Sequence, residues 1–245
     1  MSDLYKSLKK ILTRVRATPF HPQWFVYRQQ HQHHLAIAKV LQGKILDIGC
    51  ANQPLRPYLP KDADYIGLYY YSTAVNWYET RPMLYGDAQA LPLAAETVDC
   101  VLLLDVLEHL PRPHDCLQEI KRVLKPQGIL VLQVPFLYPV HDAPLDFQRW
   151  TSHGLRQQIA QQGFVLKEEF QMGKPLETAA LLMNIAMSKT LLNWIKAKHP
   201  ASILGIFVPP LVLGINLSCC LASYFSPEDA LMPHSYRWVL EKKQL

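Results

Sequence analysis

The fold is decided by one stretch, VDCVLLLDVLEHLPRPHDCLQEIKRVLKPQGILVLQVPF at residues 98–136. It begins and ends with nearly continuous apolar runs, at 98–104 and 129–134, and a helical pattern lies between them at 114–124. Strands that are apolar along their whole length are typical of a parallel sheet covered on both faces. The order strand, helix, strand therefore predicts a right-handed parallel crossover unit.

Strand and helix signals alternate on both sides of this unit. Further strand signals are KILDI at 44–48, YIGL at 65–68, FVLKEEF at 164–170 and SYRWVLEKK at 235–243, and a helix is predicted at 152–162. The alternation predicts an α/β fold with a Rossmann-like, doubly wound, mostly parallel sheet. Ligands in such sheets bind beyond the carboxyl ends of the strands, at the point where the strand order reverses, so functional residues are expected there.

Composition excludes several classes of protein. Apolar residues make up 49% of the 245 residues and charged residues 18%, which excludes a disordered chain. The net charge of +5 is too small and too dispersed to indicate nucleic acid as the main partner. The five cysteines are odd in number and form no Cys-x-x-Cys, so neither a disulfide framework nor a zinc site of cysteines is indicated. A reducing, cytoplasmic location is expected.

Two segments carry the residues typical of a ligand turn, and the first of them follows a predicted strand. In KILDIGCANQPLRPYL, at 44–59, a strand ends at Asp47 and Gly49 allows the backbone to pass close to a ligand. The pattern G-x-G-x-x-G, which a dinucleotide site would need, is absent. The second segment is YGDAQALPL at 85–93.

These segments, with the runs D-V-L-E-H-L and R-V-L-K-P-x-G-x-L inside 98–136, resemble class I S-adenosylmethionine-dependent methyltransferases with a domain of methyltransferase type 11. The resemblance covers roughly residues 30–170. It implies a seven-stranded sheet whose last strand is antiparallel, and S-adenosylmethionine as the cofactor. It also implies that Asp87 accepts a hydrogen bond from the adenine amino group. The candidate cofactor-binding residues are Asp47, Gly49, Cys50, Ala51, Leu68, Tyr69, Asp87, Ala88 and Asp105.

Two positions depart from the family pattern. Ala51 stands where the family usually has a second glycine, and Tyr69 stands where it places a carboxylate that binds both ribose hydroxyls. A phenol carries no charge and cannot hold both hydroxyls as a carboxylate does. Glu79 is a candidate substitute. These departures leave an alternative open, in which the chain is a catalytically degenerate methyltransferase fold that acts as a binding or scaffold module.

Candidate acceptor-side residues lie after the fourth and fifth predicted strands. They are His109, His141 and Asp146, because methyl transfer to oxygen usually needs a base near the acceptor proton. A structural role for His109 and a loop histidine paired with Asp142 stay open as alternatives. A metal site from His141, Asp142 and Asp146 is conceivable, but the resembled family generally lacks one and no metal is expected.

The loop FLYPVHDAPLDFQRW, at 136–150, resembles a P-x-H-x-x-P-x-D-F-x-R-x-T pattern of methyltransferases linked to cell-surface glycan and lipid biosynthesis. Together with the apolar insertion described below, this resemblance leads to the hypothesis of O-methylation of a lipid-linked, quinone-like or glycan-precursor small molecule at a membrane surface. The expected partners are thus a small-molecule or lipid-linked acceptor and a membrane surface, with no nucleic acid.

An apolar insertion precedes the last predicted strand. Residues 203–225 contain no charge over 23 residues, which is long enough for a bilayer, although Pro209, Pro210, Gly214 and Asn216 interrupt the run. The final strand must rejoin the sheet, so the segment is expected to return as a re-entrant hairpin, an in-plane anchor, a buried helix pair or a homodimer interface. The basic amphipathic pattern at 1–16 favours membrane contact.

Four segments are therefore predicted. They are a basic amphipathic helix and linker at 1–27, the S-adenosylmethionine-binding core at 28–174, the apolar helical insertion at 175–234 and the final strand of the core at 235–245. The expected location is cytoplasmic, peripheral or monotopic at the inner face of a membrane.

Overall fold

Seven strands form a single mixed sheet in the computed structural model, which describes residues 14–75, 81–227 and 229–244. The strands are β1 (Lys44–Ile48), β2 (Asp64–Tyr69), β3 (Leu84–Tyr85), β4 (Val98–Leu104), β5 (Leu124–Pro135), β6 (Phe164–Met172) and β7 (Ser235–Lys242). Their order across the sheet is β3-β2-β1-β4-β5-β7-β6. β7 alone runs antiparallel, between β5 and β6. The predicted Rossmann-like sheet with an antiparallel last strand is confirmed.

The helices of the described residues are α1 (Trp24–Tyr27), α2 (Gln30–Val40), α3 (Pro113–Val123), α4 (Ser152–Gln161), α5 (Pro175–Lys196) and α6 (Val208–Phe225). Short 3₁₀ segments lie at Arg56–Tyr58, Leu107–His109 and Pro200–Phe207, and a helical turn at Tyr71–Thr73. Two sequence predictions, Glu79 and most of the basic helix at 1–16, lie outside the described residues.

The central strands are buried on both faces, which explains their continuous apolar runs. On one face Leu46, Val101 and Leu103 pack with Leu117 and Ile120 of α3. The opposite face has its own apolar cluster, which includes Ile45, Cys100, Leu102 and Val131 of the strands together with Ile37 of α2. Neighbouring residues of a strand thus enter different layers, as the two-residue period of a strand requires.

The described residues divide into two compact units. One contains residues 33–172 and the last strand, and the other contains the described part of residues 1–32 with residues 173–234. The second unit is built on α5 and α6, which pack together as a helix pair joined by the segment 197–207. The segments predicted from the sequence differ from these units, because the prediction treated residues 1–27 and the insertion at 175–234 as separate segments.

Polar groups lie buried between α5 and α6. Asn184 Nδ2 donates to Asn216 Oδ1 at 2.8 Å, and Asn216 Nδ2 donates to the carbonyl oxygens of Pro19 at 2.7 Å and His21 at 3.1 Å. Both asparagines are fully buried. These bonds satisfy polar atoms that would be costly to bury alone, and they tie the residues before α1 to the helix pair.

The other side of α6 is apolar and exposed. Its exposed apolar side chains include Leu211, Leu217, Leu221, Tyr224 and Phe225. In the part of the chain that the structure describes, Pro200–Phe225 is the one helical stretch long and apolar enough to cross a membrane, and only 11% of its most apolar window is buried. Asn216 and Ser223 are buried, so they lie on the face of α6 that packs inside this unit. Other described residues of the unit do not cover the opposite, apolar face.

Candidate functional site

The turn after β1 requires glycine at position 49. Gly49 has φ +78°, and a Cβ added there would lie 2.3 Å from Val106 Cγ2. Its N–H donates to the carbonyl oxygen of Leu68, the partner of Ile48 in β2, at 2.9 Å. The turn is thereby bonded to β2. On its other side it lies close to Val106, which follows Asp105.

Two residues without glycine's freedom continue this turn in the left-handed region. Ala51 has φ 42° and Gln53 has φ 54°. This conformation costs about 1–2 kcal/mol for a residue with a Cβ. Such backbone strain is found preferentially at ligand sites. Ala51 thus keeps a backbone shape suited to glycine, whereas Gln53 was not singled out from the sequence because nothing in its local pattern signals a left-handed residue.

The candidate cofactor residues come together along the carboxyl ends of β1 to β4. Gly86 N donates to the carbonyl oxygen of Tyr69 at 3.1 Å, which joins the turn after β3 to β2. Asp105 follows β4, has φ 53°, and accepts from Gln133 Nε2 at 2.7 Å. Leu68 and Ala88 are buried beneath this edge. The strand order reverses between β1 and β4, so Gly49 and Asp105 flank the position where a doubly wound sheet binds its ligand.

Asp47 lies under the turn and is 4% exposed. Tyr65 donates its hydroxyl hydrogen to Asp47 Oδ2 at 2.5 Å. Burial raises the pKa of Asp47 to about 7, and the hydrogen bond from Tyr65 opposes this rise. Asp47 therefore supports the turn from below.

We expect Asp47→Asn to stabilise the protein increasingly as the pH rises from 4 to 7. The native carboxyl keeps its proton up to a pKa of about 7, whereas the unfolded chain loses it near 3.8. The native state therefore binds more protons across this range, so its stability falls as pH rises, by up to about 4 kcal/mol. Asparagine removes this dependence and still accepts from Tyr65. Urea unfolding at pH 4.5, 6 and 8 measures it, and an equal difference at all three values would refute it.

Asp87 is arranged to leave one oxygen for a ligand. Within the described residues, both of its side-chain hydrogen bonds use Oδ1, which accepts from Gln89 N at 2.8 Å and from Gln89 Nε2 at 3.2 Å. Oδ2 is left for a donor such as an amino group. Tyr69 differs, because its side chain is 8% exposed and packs with Cys50 and Ala74. No carboxylate replaces it among the described residues of this turn.

These observations fit S-adenosylmethionine in part. The glycine turn, the open Asp87 oxygen and the exposed Asp105 carboxylate lie along one edge, as the cofactor requires. The ribose-binding carboxylate is missing at position 69. The residues present would thus hold the cofactor through the turn after β1, Asp87 and Asp105.

A second group of side chains lies just beyond Asp105. Glu108 is 0% exposed, and its Oε1 is 3.7 Å from Nε2 of His109 and 3.7 Å from Nε2 of His141. The two imidazole rings meet edge to face with centroids 4.9 Å apart. Phe147 N donates to the carbonyl oxygen of Glu108 at 2.9 Å, which fastens the loop after β5 to this turn. We call Glu108, His109 and His141 the acceptor-side cluster.

His141 is oriented by Asp146 and Arg149. Its Nδ1 lies 3.2 Å from Asp146 Oδ2, which also accepts from His141 N at 2.9 Å. Arg149 donates to both oxygens of Asp146, at 2.5 and 2.7 Å. Burial opposes ionisation of Asp146, but the bonds from Arg149 and His141 lower its pKa to about 2. Asp146, a candidate named from the sequence, thus holds His141 in place.

His109 and Glu108 complete the cluster. His109 Nδ1 lies 2.7 Å from the carbonyl oxygen of Leu145, in the loop after β5. Burial raises the pKa of Glu108 well above its usual range, and the nearby charge of Asp105 adds to the rise. Sequence reasoning named both histidines and Asp146 but missed Glu108. The run E-H after β4 was its only local signal.

Comparisons with known proteins agree with this geometry. The family model described as "Methyltransferase domain" matches residues 46–132. A fatty-acid O-methyltransferase of Mycolicibacterium smegmatis is 28% identical over 189 residues, which cover 71% of this chain and 66% of that protein. The chain therefore spans just under two thirds of the length of this curated relative.

Two solved structures share the fold at low identity. One is a chain of the complex that contains the Haloferax volcanii Trm112 methyltransferase activator, with a TM-score of 0.52, 18% identity, and coverage of 96% of this chain and 95% of that chain. The other is the [4+2]-cyclase SpnF, with a TM-score of 0.51, 17% identity, and coverage of 88% and 80%. At these identities the likeness extends to the fold alone.

Proposed function

This chain contains a class I S-adenosylmethionine-dependent methyltransferase domain, and on that premise we propose that it methylates an oxygen atom of a lipid-like acceptor at a membrane surface. S-adenosylmethionine supplies the activated methyl group. The observation that carries the proposal is the acceptor-side cluster, which lies next to Asp105 on the same sheet edge as the cofactor residues. Imidazole and carboxylate groups suit an oxygen acceptor, because they can receive or hold its proton.

Different residues along this sheet edge would bind the cofactor and the acceptor. Gly49, Asp87 and Asp105 would hold the cofactor. His141, held by Asp146, would orient the acceptor oxygen and receive its proton where the acceptor is a hydroxyl. The relative's printed activity, O-methylation of a fatty acid, supports oxygen as the methylated atom.

The exposed face of α6 supports a membrane-bound acceptor. A large exposed apolar surface on a soluble chain marks an interaction site. Within its own unit, that face presents Leu211, Leu217 and Leu221 with no acidic residue in α6. Lysines at 6, 9 and 10 in the sequence would add attraction to anionic lipids. In the competing interpretation, a second copy of the chain binds this face and forms a homodimer.

We expect the enzyme to methylate a long-chain acceptor faster when anionic vesicles present it. Transfer of labelled methyl groups from S-adenosylmethionine to a palmitate or a long-chain phenol, with and without vesicles, measures this. Leu217→Glu with Leu221→Glu should abolish vesicle co-sedimentation and the vesicle-dependent gain, but leave activity on a short-chain analogue unchanged.

Val165→Glu, on the edge strand β6 of the other unit, is the matched control and should leave both vesicle effects unchanged. Activity without any gain from vesicles, together with a dimer that the double variant dissociates, would refute the membrane part of the proposal and assign α6 to an interface between copies.

A degenerate fold is the second candidate function, and Tyr69 is the observation that favours it. Its buried side chain occupies the position of the ribose-binding carboxylate. A chain of this kind would bind S-adenosylmethionine weakly or not at all, and titration with the cofactor separates the two functions.

A further inference from the structure

We propose that the acceptor-side cluster, Glu108, His109 and His141, binds a divalent first-row transition metal ion such as Zn²⁺ at the acceptor end of the site. The inference deepens the proposed function, on which its catalytic role rests. It replaces the expectation from the sequence that no metal is bound. The three side chains come from two segments, since Glu108 and His109 follow β4 and His141 lies in the loop after β5.

The first observation is a buried carboxylate without hydrogen-bond partners. Glu108 is 0% exposed, and neither Oε1 nor Oε2 has a hydrogen bond among the described residues. Burying an ionised carboxylate without hydrogen bonds destabilises the folded protein by several kcal/mol, unless a proton or a bound cation neutralises its charge. Two imidazole nitrogens, which are themselves metal ligands, lie 3.7 Å from Oε1.

The second observation is that the surroundings fix which nitrogen of each ring carries the proton. The Leu145 carbonyl oxygen, 2.7 Å from His109 Nδ1, can only accept, so His109 carries its proton on Nδ1. Nδ1 of His141 faces two acceptors, Asp146 Oδ2 at 3.2 Å and the Pro139 carbonyl oxygen at 3.3 Å.

A donor, Arg149 Nη2, also lies near His141 Nδ1, but at 3.4 Å it is slightly farther away than either acceptor, and it already donates to Asp146. His141 therefore also carries its proton on Nδ1. Each Nε2 atom, 3.7 Å from Glu108 Oε1, then carries a lone pair and no proton. With Glu108 ionised, three acceptor atoms meet here, and a cation bound between them would relieve their repulsion. A histidine whose second nitrogen donates to a carbonyl or a carboxylate is the usual arrangement of a metal ligand.

The spacing suits a small ion after a modest contraction. One ligand atom from each residue can be chosen so that all three lie within 4.8 Å of one another, and both histidines approach Glu108 Oε1 to 3.7 Å. Ligand atoms on a tetrahedral zinc ion lie roughly 3.4 Å apart, from bond lengths of about 2.0–2.1 Å. Rotation of the side chains by a few tenths of an ångström brings each histidine nitrogen to this distance from Glu108 Oε1, and the two histidine rings must turn toward each other as well.

The donor set selects the class of ion. Two imidazoles and one carboxylate favour Zn²⁺, Fe²⁺ or Mn²⁺ over Mg²⁺ and Ca²⁺, which prefer oxygen. Three protein ligands leave positions open for the acceptor oxygen. A bound ion would lower the pKa of an acceptor hydroxyl and fix its oxygen next to Asp105, on the side of the cofactor.

The test is a titration of the chelator-treated full chain with Zn²⁺ and, separately, with Co²⁺. We expect one tight equivalent, and a Co²⁺ spectrum of nitrogen and oxygen ligands without thiolate charge-transfer bands. His109→Ala and His141→Ala should each weaken Zn²⁺ binding at least tenfold. Asp146→Asn removes the charge that holds His141 and Arg149, without removing a proposed ligand, and should weaken it by about 10–100-fold. His153→Ala, an exposed histidine of α4, should bind Zn²⁺ as the wild type does.

Binding of S-adenosylmethionine by each variant shows that the fold is intact and separates the two proposals. Cofactor binding and methyl transfer that persist after complete metal removal, with no tight equivalent of Zn²⁺ or Co²⁺, would overturn the metal site and leave the proposed function standing. Equal Zn²⁺ affinity in the His109, His141 and His153 variants would also overturn it. Tight metal binding without any methyl transfer would refute the proposed function alone.

Discussion

Replacing His141 by alanine should lower the rate of methyl transfer about 10²–10⁴-fold, the usual effect of losing a proton-accepting group at the reacting atom. Affinity for S-adenosylmethionine should stay nearly unchanged, because His141 lies in the loop after β5 and contacts Glu108 and Asp146 rather than the turn after β1. The loss is expected whether the imidazole receives the proton itself or holds an ion that lowers the acceptor's pKa.

The measurement is a comparison of turnover and of calorimetric cofactor affinity in His141→Ala, with His153→Ala as the control. His153 is an exposed residue of α4, so both quantities should match the wild type. If His141→Ala turns over as fast as the wild type, His141 has only a structural role in the loop.

Gly49→Ala should destabilise the protein by about 2–4 kcal/mol and weaken cofactor binding by more than tenfold. The left-handed conformation alone costs a residue with a Cβ about 1–2 kcal/mol. The added methyl group would lie 2.3 Å from Val106 Cγ2, so either the turn or Val106 must move. A displaced turn no longer presents its backbone to the cofactor as the native one does.

A double variant separates the clash from the backbone conformation. Val106→Ala removes the Cγ atoms, so Gly49→Ala with Val106→Ala should recover part of the affinity lost in Gly49→Ala. Ala51→Gly, which relaxes a neighbouring left-handed residue, should stabilise the native state by about 1 kcal/mol. A Gly49→Ala protein with wild-type stability and affinity would mean that this turn tolerates a side chain and does not approach the ligand.

The fold could be predicted because each central strand carries its own local signal. Residues 98–104 and 129–134 are apolar on both faces because helices cover both faces, and this leaves a continuous run in the sequence. β3 has only two residues, too few for any period, and its place followed from the family resemblance. β5 starts at Leu124, five residues before the predicted run, because Leu124 pairs with Val98 ahead of a register shift.

The candidate site could be predicted where its residues follow strand ends or match the family pattern. Gly49 and Asp105 follow predicted strands, Asp87 was named from the resemblance, and the roles of all three toward the cofactor stay predictions. Glu108 was missed because its significance comes from His141, which lies far along the chain and approaches it only through the folding of the loop after β5. The contact of His141 with Asp146 likewise depends on that loop's conformation, which no periodicity encodes.

Calorimetric titration of the wild-type chain with S-adenosylmethionine tests the central claim most directly. If the carboxyl ends of β1 to β4 form a working cofactor site despite Ala51 and Tyr69, the chain will bind one equivalent with a dissociation constant in the micromolar range, about −7 to −8 kcal/mol. Asp87→Ala, which removes the oxygen left for the adenine amino group, will weaken this by about 1–3 kcal/mol. No heat of binding at millimolar cofactor would contradict the account and leave a degenerate methyltransferase fold in its place.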